Sequence, residues 1–409
     1  MSLTERDVKS TEIIEVVPDD VFARMVDLRR DLHRHPELSW QEERTSRRIR
    51  EQLDELGIEY RQAAGHGIIA DLPGQTSGAK FIALRADMDA LPVTERTGLE
   101  FASEREGLMH ACAHDGHSSI LLGAAQMLLK RPPPVGVRLI WQPAEETADG
   151  AEAMVEEGVL DGVAAIFGGH LDRHYAPGTL VITPGAVNAS TDLFTIDIEG
   201  QQGHGARPHE ALDAVVVGSL LVTSLQTIVS REVDPAHPSV ISVGSFHAGT
   251  APNVIAGEAT LSGTIRSQDS DVREHLHRSL RRIADAVGTL HQATITVDID
   301  RRTPPLINRP SMVDLARQAA LQIVDDQKIL QLHTVNMGGE DFACYLNHVP
   351  GCYIRYGAQV EGRESYPAHS SRFDFEESAM ATGAAWLVEM AHLAGQRVAD
   401  GLTFTEEGM

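Results

Sequence analysis

Residues 137–146 read Val-Arg-Leu-Ile-Trp-Gln-Pro-Ala-Glu-Glu, a short apolar run that ends in two adjacent carboxylates. A run of this length and composition is typical of a strand buried in a sheet. Neighbouring side chains of an extended backbone point in different directions, so one of the two glutamates can bind a metal ion while its neighbour handles a proton. Two glutamates at the end of a single strand are usually only solvated charge, and their surroundings in the fold therefore decide their role.

Three further short apolar runs predict buried strands that lead into metal-binding side chains. Helical segments alternate with these runs, a pattern that predicts an α/β sheet with helices on both faces. Ligands of such sheets bind just outside the carboxyl ends of the strands, so the side chains that follow the runs are expected to converge. The runs with those side chains are 81–84 with Asp87 and Asp89, 164–167 with His170, and 352–356 with His369.

The densest group of potential metal ligands occurs in one segment, His110-Ala-Cys112-Ala-His114-Asp115-Gly-His117. This segment is predicted to lie just before a helix over residues 118–130. Thiolate and imidazole groups suit zinc and similar first-row metals, and Asp115 could orient a ligating imidazole. The alternative is a solvated polar loop that leads into a helix and buries one thiol. A single histidine would favour that alternative, whereas this density favours a metal site.

The middle of the chain differs from the rest in its hydrophobic pattern. Residues 191–199 and 260–266 alternate apolar and polar side chains, which predicts strands with one solvated face. The sequence therefore predicts two domains. A smaller α+β domain over residues 188–299 is inserted into a discontinuous α/β domain over residues 1–187 and 300–409.

The composition argues against several classes of partner. The 409 residues include 35 basic and 59 acidic side chains, and the formal charge of −24 disfavours both nucleic acid and an anionic membrane. The most apolar stretch, residues 214–225, contains Ser and Thr and is too short to span a bilayer. The first residues, MSLTERDVKSTE, lack the apolar core of a signal peptide. Three cysteines are too few for a disulfide framework, so a cytoplasmic protein is predicted.

A series of motifs runs in order along nearly the whole chain. The motifs are Leu32-His-Arg-His-Pro-Glu37-Leu, Arg85-Ala-Asp-Met-Asp89-Ala-Leu-Pro, the segment from His110 to His117, Gln142-Pro-Ala-Glu-Glu146, Gly203-His204-Gly-Ala-Arg-Pro-His209, Ala251-Pro-Asn253-Val-Ile and Gly338-Gly-Glu-Asp341. Together they resemble the M20 family of metallopeptidases, and within it the amidohydrolase branch that acts on N-acyl amino acids, hippurate and auxin conjugates. The resemblance implies a two-domain architecture, in which a three-layer catalytic domain with a mixed sheet carries an inserted α+β lid and dimerisation domain.

The resemblance also implies a site for two divalent metal ions, which could be Zn, Mn, Co or Ni. The implied ligands are Cys112, His114, Glu146, His170 and His369. Glu145 matches the general base of the family, and Asp89 matches the acid that orients the site. Asp87 stands where other branches have a ligating histidine, which implies a supporting role. Ala113 departs from the pattern of this branch, which usually has glycine between the cysteine and the histidine.

The inserted domain resembles the lid of the family, which implies a homodimer through this domain or a higher oligomer. His204 corresponds to a lid histidine that reaches the active site, either in its own subunit or from the partner subunit. Asn253 and Arg266 resemble the pair that grips polar groups of the substrate, commonly a carboxylate. For Arg266 the alternative is an ordinary exposed strand residue.

The activity implied by the resemblance is hydrolysis of the amide bond of an N-acyl amino acid or a related small N-acyl amide. A water activated between the two metal ions would attack the carbonyl, with Glu145 as the general base and His204 beside the developing oxyanion. Hydrolytic removal of an amine from a small aromatic or amidine substrate on the same site is one alternative. A non-catalytic protein that binds small molecules is another, although the base and all five ligands are present.

Overall fold

The computed structural model describes residues 17–362 and 365–404, so the N-terminal stretch without a signal-peptide pattern lies outside the described residues. The described residues form two compact units. The first contains the described residues up to Gly185, the segment Ile307–Thr334 and the described residues from Asp341 onward. The second contains Ala186–Leu306 and Val335–Glu340.

The segment Val335–Glu340 differs from the predicted division, which assigned it to the larger domain. Its contacts explain why it belongs to the second unit. The Ala189 N–H donates to the carbonyl oxygen of Gly338 at 3.1 Å, and Asn336 forms an isolated bridge with Asn188. These are contacts between distant parts of the chain, which a local hydrophobic pattern does not reveal.

Most of the strands belong to two sheets, one in each unit. Numbered along the chain, the strands of the described residues are β1 (Tyr60–Ala63), β2 (Gly67–Leu72), β3 (Phe81–Asp87), β4 (Val137–Gln142), β5 (Val163–Asp172), β6 (Leu180–Val181), β7 (Gly185–Asn188), β8 (Ser190–Glu199), β9 (Gly203–His204), β10 (Ser239–Ala248), β11 (Val254–Ile255), β12 (Glu258–Ser267), β13 (Thr294–Arg301), β14 (Leu306–Asn308), β15 (Ile329–Leu330) and β16 (Gly351–Gly357).

The sheet of the first unit has eight strands in the order β1-β2-β4-β3-β5-β16-β6-β15. Its four central strands, β4, β3, β5 and β16, are mutually parallel, and antiparallel pairs flank them. The predicted mixed α/β architecture is therefore confirmed. Because the central strands run in the same direction, their carboxyl ends share one edge of the sheet, and the candidate site is built at that edge.

The helices follow the apolar spacing of their sequences. Helix α1, for example, buries Val21, Met25, Leu28 and Leu32 along one stripe. The α-helices of the described residues are α1 (Asp19–Arg34), α2 (Glu43–Leu56), α3 (His114–Lys130), α4 (Gly150–Glu156), α5 (Ala214–Thr227), α6 (Ser270–His291), α7 (Pro310–Ala320), α8 (Phe342–Leu346) and α9 (Ala379–Ala399). In the first unit α3 contacts α1, α9 and β3, which holds its first turn against the central sheet.

The second unit contains a four-stranded antiparallel sheet in the order β10-β12-β8-β13. Helices α5 and α6 contact each other and pack on this sheet. One helical stretch of the described residues, 214–232, is long and apolar enough to cross a membrane by length and composition. It exceeds the stretch judged too short from sequence because a π-helical turn, Ile228–Glu232, extends α5. Val217, Leu221 and Leu225 are buried in the core of the unit, and 33% of the apolar window is buried in all.

Candidate metal centre

The carboxyl ends of three neighbouring parallel strands carry the acidic and imidazole side chains of the candidate site. Strand β3 ends at Asp87, β4 ends just before Glu145 and Glu146, and β5 contains His170. His170 was predicted to follow its strand. In the structure β5 continues to Asp172, because its last residues remain paired with β16.

Four residues with left-handed backbone conformation lie at the turns that present these side chains. They are Ala113 (φ 67°), Ala144 (φ 55°), Ala148 (φ 62°) and His369 (φ 67°). Such a conformation costs a residue other than glycine about 1–2 kcal/mol. Strain of this kind is concentrated at functional sites, where the surrounding structure enforces it.

The backbone conformation of Ala113 explains why the segment from His110 to His117 runs into the helix instead of lying before it. Its left-handed conformation turns the chain between Cys112 and His114, and its carbonyl oxygen accepts a hydrogen bond from the His117 N–H at 2.9 Å. Helix α3 therefore begins at His114, earlier than the predicted start at Ser118. The two histidines lie in the first turn of this helix.

His114 presents one ring nitrogen to the centre of the site. Its Nδ1 lies 2.9 Å from the carbonyl oxygen of Asp89 and 3.1 Å from Asp89 Oδ1, and both atoms only accept hydrogen bonds. Nδ1 therefore carries the proton. Nε2 lies 3.8 Å from Glu145 Oε2 and 3.8 Å from Glu146 Oε1, and in the neutral ring it carries the lone pair that can bind a cation.

Cys112 joins His170 and His369 to this centre. The Sγ atom of Cys112 lies 3.4 Å from His170 Nε2, and His369 Nε2 lies 3.5 Å from Glu146 Oε2. The backbone of His369 is held by its N–H, which donates to the carbonyl oxygen of Ala111 at 2.8 Å. The structure thus brings together the five residues that the sequence analysis named as ligands.

Among themselves, these five residues and Glu145 form three overlapping groups, and within each group the donor atoms lie within 4.8 Å of one another. The groups are Cys112 with His114 and His170, Cys112 with Glu146 and His369, and His114 with Glu145 and Glu146. Two buried atoms in them, His114 Nε2 and Glu146 Oε1, have no hydrogen-bond partner among the described residues. Thiolate, imidazole and carboxylate donors suit first-row divalent metals, so these residues fit the cations that the resemblance implies.

The electrostatics of the site favour an added positive charge. Burial raises the pKa of Glu146 to about 7, and the charge of Asp89 acts in the same direction. Burial and the charge of Glu146 raise the pKa of the Cys112 thiol. Burial alone would lower the pKa of His114, but the Asp87 charge and the hydrogen bond to Asp89 outweigh it and raise that pKa well above its ordinary value. A bound cation would relieve the repulsion among the acids and favour the thiolate.

Two residues that the sequence analysis did not single out support the acidic turn. Ser39 donates to Asp89 Oδ2 at 2.7 Å, and the same oxygen accepts the Glu146 N–H at 3.0 Å. The Ala144 N–H donates to Glu42 Oε1 at 2.8 Å, beside the strained turn. Glu42 is one acid at the start of a charge-rich helix, so no local pattern marks it.

Two polar residues of the segment from His110 to His117 lie away from the ligand groups. His110 is buried, its two ring nitrogens have no hydrogen-bond partner among the described residues, and burial lowers its pKa to about 4. Asp115 was expected to orient a ligating imidazole. It instead lies 2.8 Å from His33 Nδ1 and 3.4 Å from Arg29 Nε, so it orients a histidine that is outside the ligand groups.

In the second unit His204 and Asn253 adjoin each other. His204 is exposed on β9 and pairs with Val254 on β11, and the Gly205 N–H donates to the Asn253 carbonyl oxygen at 2.9 Å. Nδ1 of His204 accepts the Ala206 N–H at 3.0 Å, so the neutral ring carries its proton on Nε2.

Arg266 lies on β12 of the same unit and is half-buried. Its guanidinium donates from Nη1 to Thr191 Oγ1 at 3.2 Å and to the Met337 carbonyl oxygen at 2.9 Å. These bonds hold the side chain within the second unit. The ordinary exposed strand residue considered as the alternative therefore does not describe it.

The pattern of peptidase family M20/M25/M40 matches residues 83–393. The chain belongs to the M20 family. This M20 chain is 40% identical over 377 residues to a protein of Bacillus subtilis (strain 168) that has been named as an amidohydrolase, YhaA. The match covers 90% of this chain and 93% of that protein. It is 37% identical over 375 residues to N-acetyl-L-cysteine deacetylase of the same organism. That match covers 90% of this chain and 87% of the deacetylase.

Solved structures of M20 proteins share the fold. A Bacillus subtilis protein described as a dinuclear metal binding peptidase from the M20 family has a TM-score of 0.81 and 32% identity, over 93% of this chain and 99% of that chain. The M20 chain is thus a metal-dependent amidohydrolase with the mixed-sheet architecture of its relatives.

Proposed function

We propose that the chain hydrolyses the amide bond of an N-acyl amino acid or a related small N-acyl amide. The observation that carries the proposal is the position of Glu145. The carboxylates of Glu145 and Glu146 both lie 3.8 Å from His114 Nε2, but of the two it is Glu146 whose oxygen also groups with Cys112 and His369. One carboxylate can therefore move protons while the other binds metal. The N-acetyl-L-cysteine deacetylase relative supports the substrate class.

The proposed ligands of two divalent ions are Cys112, His114, Glu146, His170 and His369. Zn, Mn, Co or Ni would suit this donor set. Bound divalent ions polarise a carbonyl and lower the pKa of an attacking water. Glu145 takes the proton of that water and passes it to the departing amine. Asp89 holds the Nδ1–H of His114, which directs Nε2 of His114 into the site.

The second unit supplies the proposed contacts to the substrate. His204 carries its proton on Nε2, which supports a role as hydrogen-bond donor to the developing oxyanion, in its own subunit or across a dimer. Asn253 and Arg266 are the proposed partners of polar groups of the substrate, such as a carboxylate. These contacts would select a substrate with an acid beside the amide.

We also propose a homodimer, or a higher oligomer, through the second unit. Helix α5 leaves Val215, Val216 and Leu220 exposed, and β10 is an edge strand of the four-stranded sheet. An exposed apolar face and an unpaired strand edge both favour association with another chain. Light scattering tests this proposal, because it measures the mass of the particle in solution.

The free cysteines of the described residues support the proposed cytoplasmic location.

The substitution Glu145→Gln tests the proposed function because it keeps the shape of the side chain and removes the base. We expect the rate of hydrolysis to fall by about 10²–10⁴-fold with metal content unchanged. The assay uses metal-reconstituted protein and a panel of N-acetyl, N-benzoyl and longer N-acyl amino acids. Glu152→Gln, at an exposed glutamate of α4, is the matched control and should keep the parent rate. If the Glu145→Gln variant hydrolysed these substrates as fast as the parent, Glu145 would not be the general base.

A further inference from the structure

His117 shares its helical turn with His114 but uses both of its ring nitrogens in other contacts. The Leu171 N–H donates to His117 Nε2 at 2.9 Å. A main-chain N–H can only donate, so Nε2 accepts and the proton of the neutral ring resides on Nδ1. That proton is directed to Asp87 Oδ1, at 2.7 Å. Neither nitrogen of His117 has a lone pair left for a metal ion.

The carbonyl group of the same residue, Leu171, contacts His170, which is a proposed metal ligand. Nδ1 of His170 lies 2.8 Å from the carbonyl oxygen of Leu171, an atom that can only accept, so His170 carries its proton on Nδ1. Nε2 of His170 is then the atom with the lone pair, and it faces Cys112 Sγ at 3.4 Å. The His117 and His170 rings are also in edge contact, with centroids 4.5 Å apart.

The far end of this chain of contacts is anchored. Asp87 receives Arg85 Nη1 at 2.6 Å, and its own carbonyl oxygen accepts the Ser118 hydroxyl at 2.9 Å. Arg85 also donates from Nη2 to Asp341 at 2.7 Å. Asp87, Arg85 and Asp341 are buried, so rearrangement of the carboxylate would break charge-assisted bonds away from water.

We infer that His117 is a positioning residue of the metal centre and not one of its ligands. It ties the Leu171 N–H to the anchored Asp87, and the Leu171 carbonyl in turn sets the tautomer and ring orientation of His170. The inference rests on the proposed function, in which His170 binds metal. In this arrangement the role of Asp87 is to hold the imidazole of His117.

A ligand role for His117 is the competing interpretation, since one donor atom each of Asp87, His114 and His117 lies within 4.8 Å of the others. Such a role would require His117 to give up its bond to Asp87 or to the Leu171 N–H. Either change would leave a buried polar group unpaired. The two roles respond differently to the two amide substitutions at this position.

The two substitutions are His117→Gln and His117→Asn. A glutamine can place its amide oxygen near the position of Nε2 and accept the Leu171 N–H, whereas an asparagine can reach only Asp87. Cobalt(II) binding to the full-length protein, followed by visible absorption and by competition with a chelator, reports both affinity and ligand geometry without substrate. Thermal unfolding of each variant verifies folding.

For His117→Asn we expect a 10- to 100-fold loss of cobalt affinity and altered ligand-field bands, as for lost outer-shell partners. His117→Gln should stay within about threefold of the parent, as a rescue of the lost bond. His277→Asn is the matched control, because His277 pairs with a buried aspartate in the core of the second unit at 2.7 Å. It should lower the melting temperature and leave the cobalt spectrum unchanged.

Two outcomes would overturn the inference. Parent-like affinity and spectra in both His117 variants would remove the positioning role. Losses in both variants equal to that of His170→Ala would make His117 a ligand. The His170→Ala variant also separates this inference from the proposed function, since parent-like cobalt binding in that variant would refute the ligand set itself.

Discussion

Each unit contains a buried aspartate paired with a histidine, and the surroundings of the two pairs differ. The distance is 2.7 Å both between Asp87 Oδ1 and His117 Nδ1 and between Asp192 Oδ2 and His277 Nε2. Asp192 also receives Arg273 Nε at 2.9 Å. Of the described residues, none in this second cluster has a buried side-chain atom without a hydrogen-bond partner.

Unlike the cluster of Asp192, His277 and Arg273, the surroundings of Asp87 and His117 contain unpartnered buried atoms and strained turns. His114 Nε2 and Glu146 Oε1 are buried there without hydrogen-bond partners among the described residues, and four strained turns lie nearby. In the described residues of the second unit, the one non-glycine residue with positive φ is Gln292, which ends helix α6. A buried charge pair alone therefore does not mark a functional site. The combination of unpartnered metal-binding atoms with strained turns beside them is the better mark, because a native fold satisfies most of its buried polar groups.

The largest effect is expected from Asp192→Asn, which leaves Arg273 buried without its full counter-charge. Breaking a buried ion pair lowers the free energy of unfolding by about 3–5 kcal/mol. Urea denaturation measures this loss, and metal content should not change. Asp197→Asn, at an exposed position of the same strand, is the control and should stay within about 0.5 kcal/mol. Loss of metal in Asp192→Asn would break the contrast between the two clusters.

Glu42 near the candidate metal centre and Asp192 in the second unit are expected to contribute to stability with opposite pH dependence. Burial and the charge of Asp89 raise the pKa of Glu42 from 4.5 to about 7, whereas the bonds to Arg273 and His277 outweigh burial and lower the pKa of Asp192 to about 2. A raised folded-state pKa means that the folded protein binds the proton more tightly. The contribution of Glu42 to stability is thus present below pH 4.5 and is lost as the pH rises through 7, by about 3 kcal/mol.

The substitution Glu42→Gln isolates this effect, since glutamine can still accept the Ala144 N–H. We expect the stability of the parent relative to the variant to fall between pH 5 and pH 8, measured by urea denaturation at each pH. The Asp192 contribution is lost only in acid, as the pH falls from 3.8 through about 2, and gives no change in that range. A difference between parent and Glu42→Gln that does not vary with pH would show that Glu42 is ionised throughout.

The smallest effect is expected from Ala113→Gly, which relieves a left-handed conformation beside two proposed ligands. The relief of about 1–2 kcal/mol exceeds the loss of one buried methyl group, about 0.8 kcal/mol, so the free energy of unfolding should rise by about 0.5 kcal/mol. Ala124→Gly is the matched control, because Ala124 is equally buried but helical in α3. It should lose about 1–2 kcal/mol. Equal losses in both variants would show that Ala113 is not strained.

The sequence predicts those features that depend on neighbouring residues. The apolar spacing of helix α1 predicts a helix over residues 21–33, and the structure has one over Asp19–Arg34. The buried run at 137–141 becomes strand β4. Gly57 has φ 68° and ends α2, as glycine commonly does just after the last residue of a helix. These features can be read locally because periodicity and backbone freedom are properties of a few consecutive residues.

Contacts between distant segments escape such reasoning. Glu42 meets the Ala144 N–H across about a hundred residues of chain, and Asp115 meets His33 across about eighty. Neither contact leaves a spacing signal in the sequence. The start of α3 at His114 was missed for a related reason, since a left-handed alanine is an uncommon helix boundary that only its surroundings can enforce.

By itself the sequence determined that thiol, imidazole and carboxylate groups follow the strands of an α/β sheet, and its motifs identified the family. The resemblance named His114 and His170 as ligands and left out His117, but only the tertiary structure supplies a physical reason for that selection. His114, His117 and His170 are the same chemical group on paper. The difference lies in the atom that faces each ring nitrogen: carbonyl oxygens hold Nδ1 of His114 and His170 and leave Nε2 available, whereas the Leu171 N–H occupies Nε2 of His117. A hydrogen-bond partner fixes the tautomer, and the fold supplies that partner.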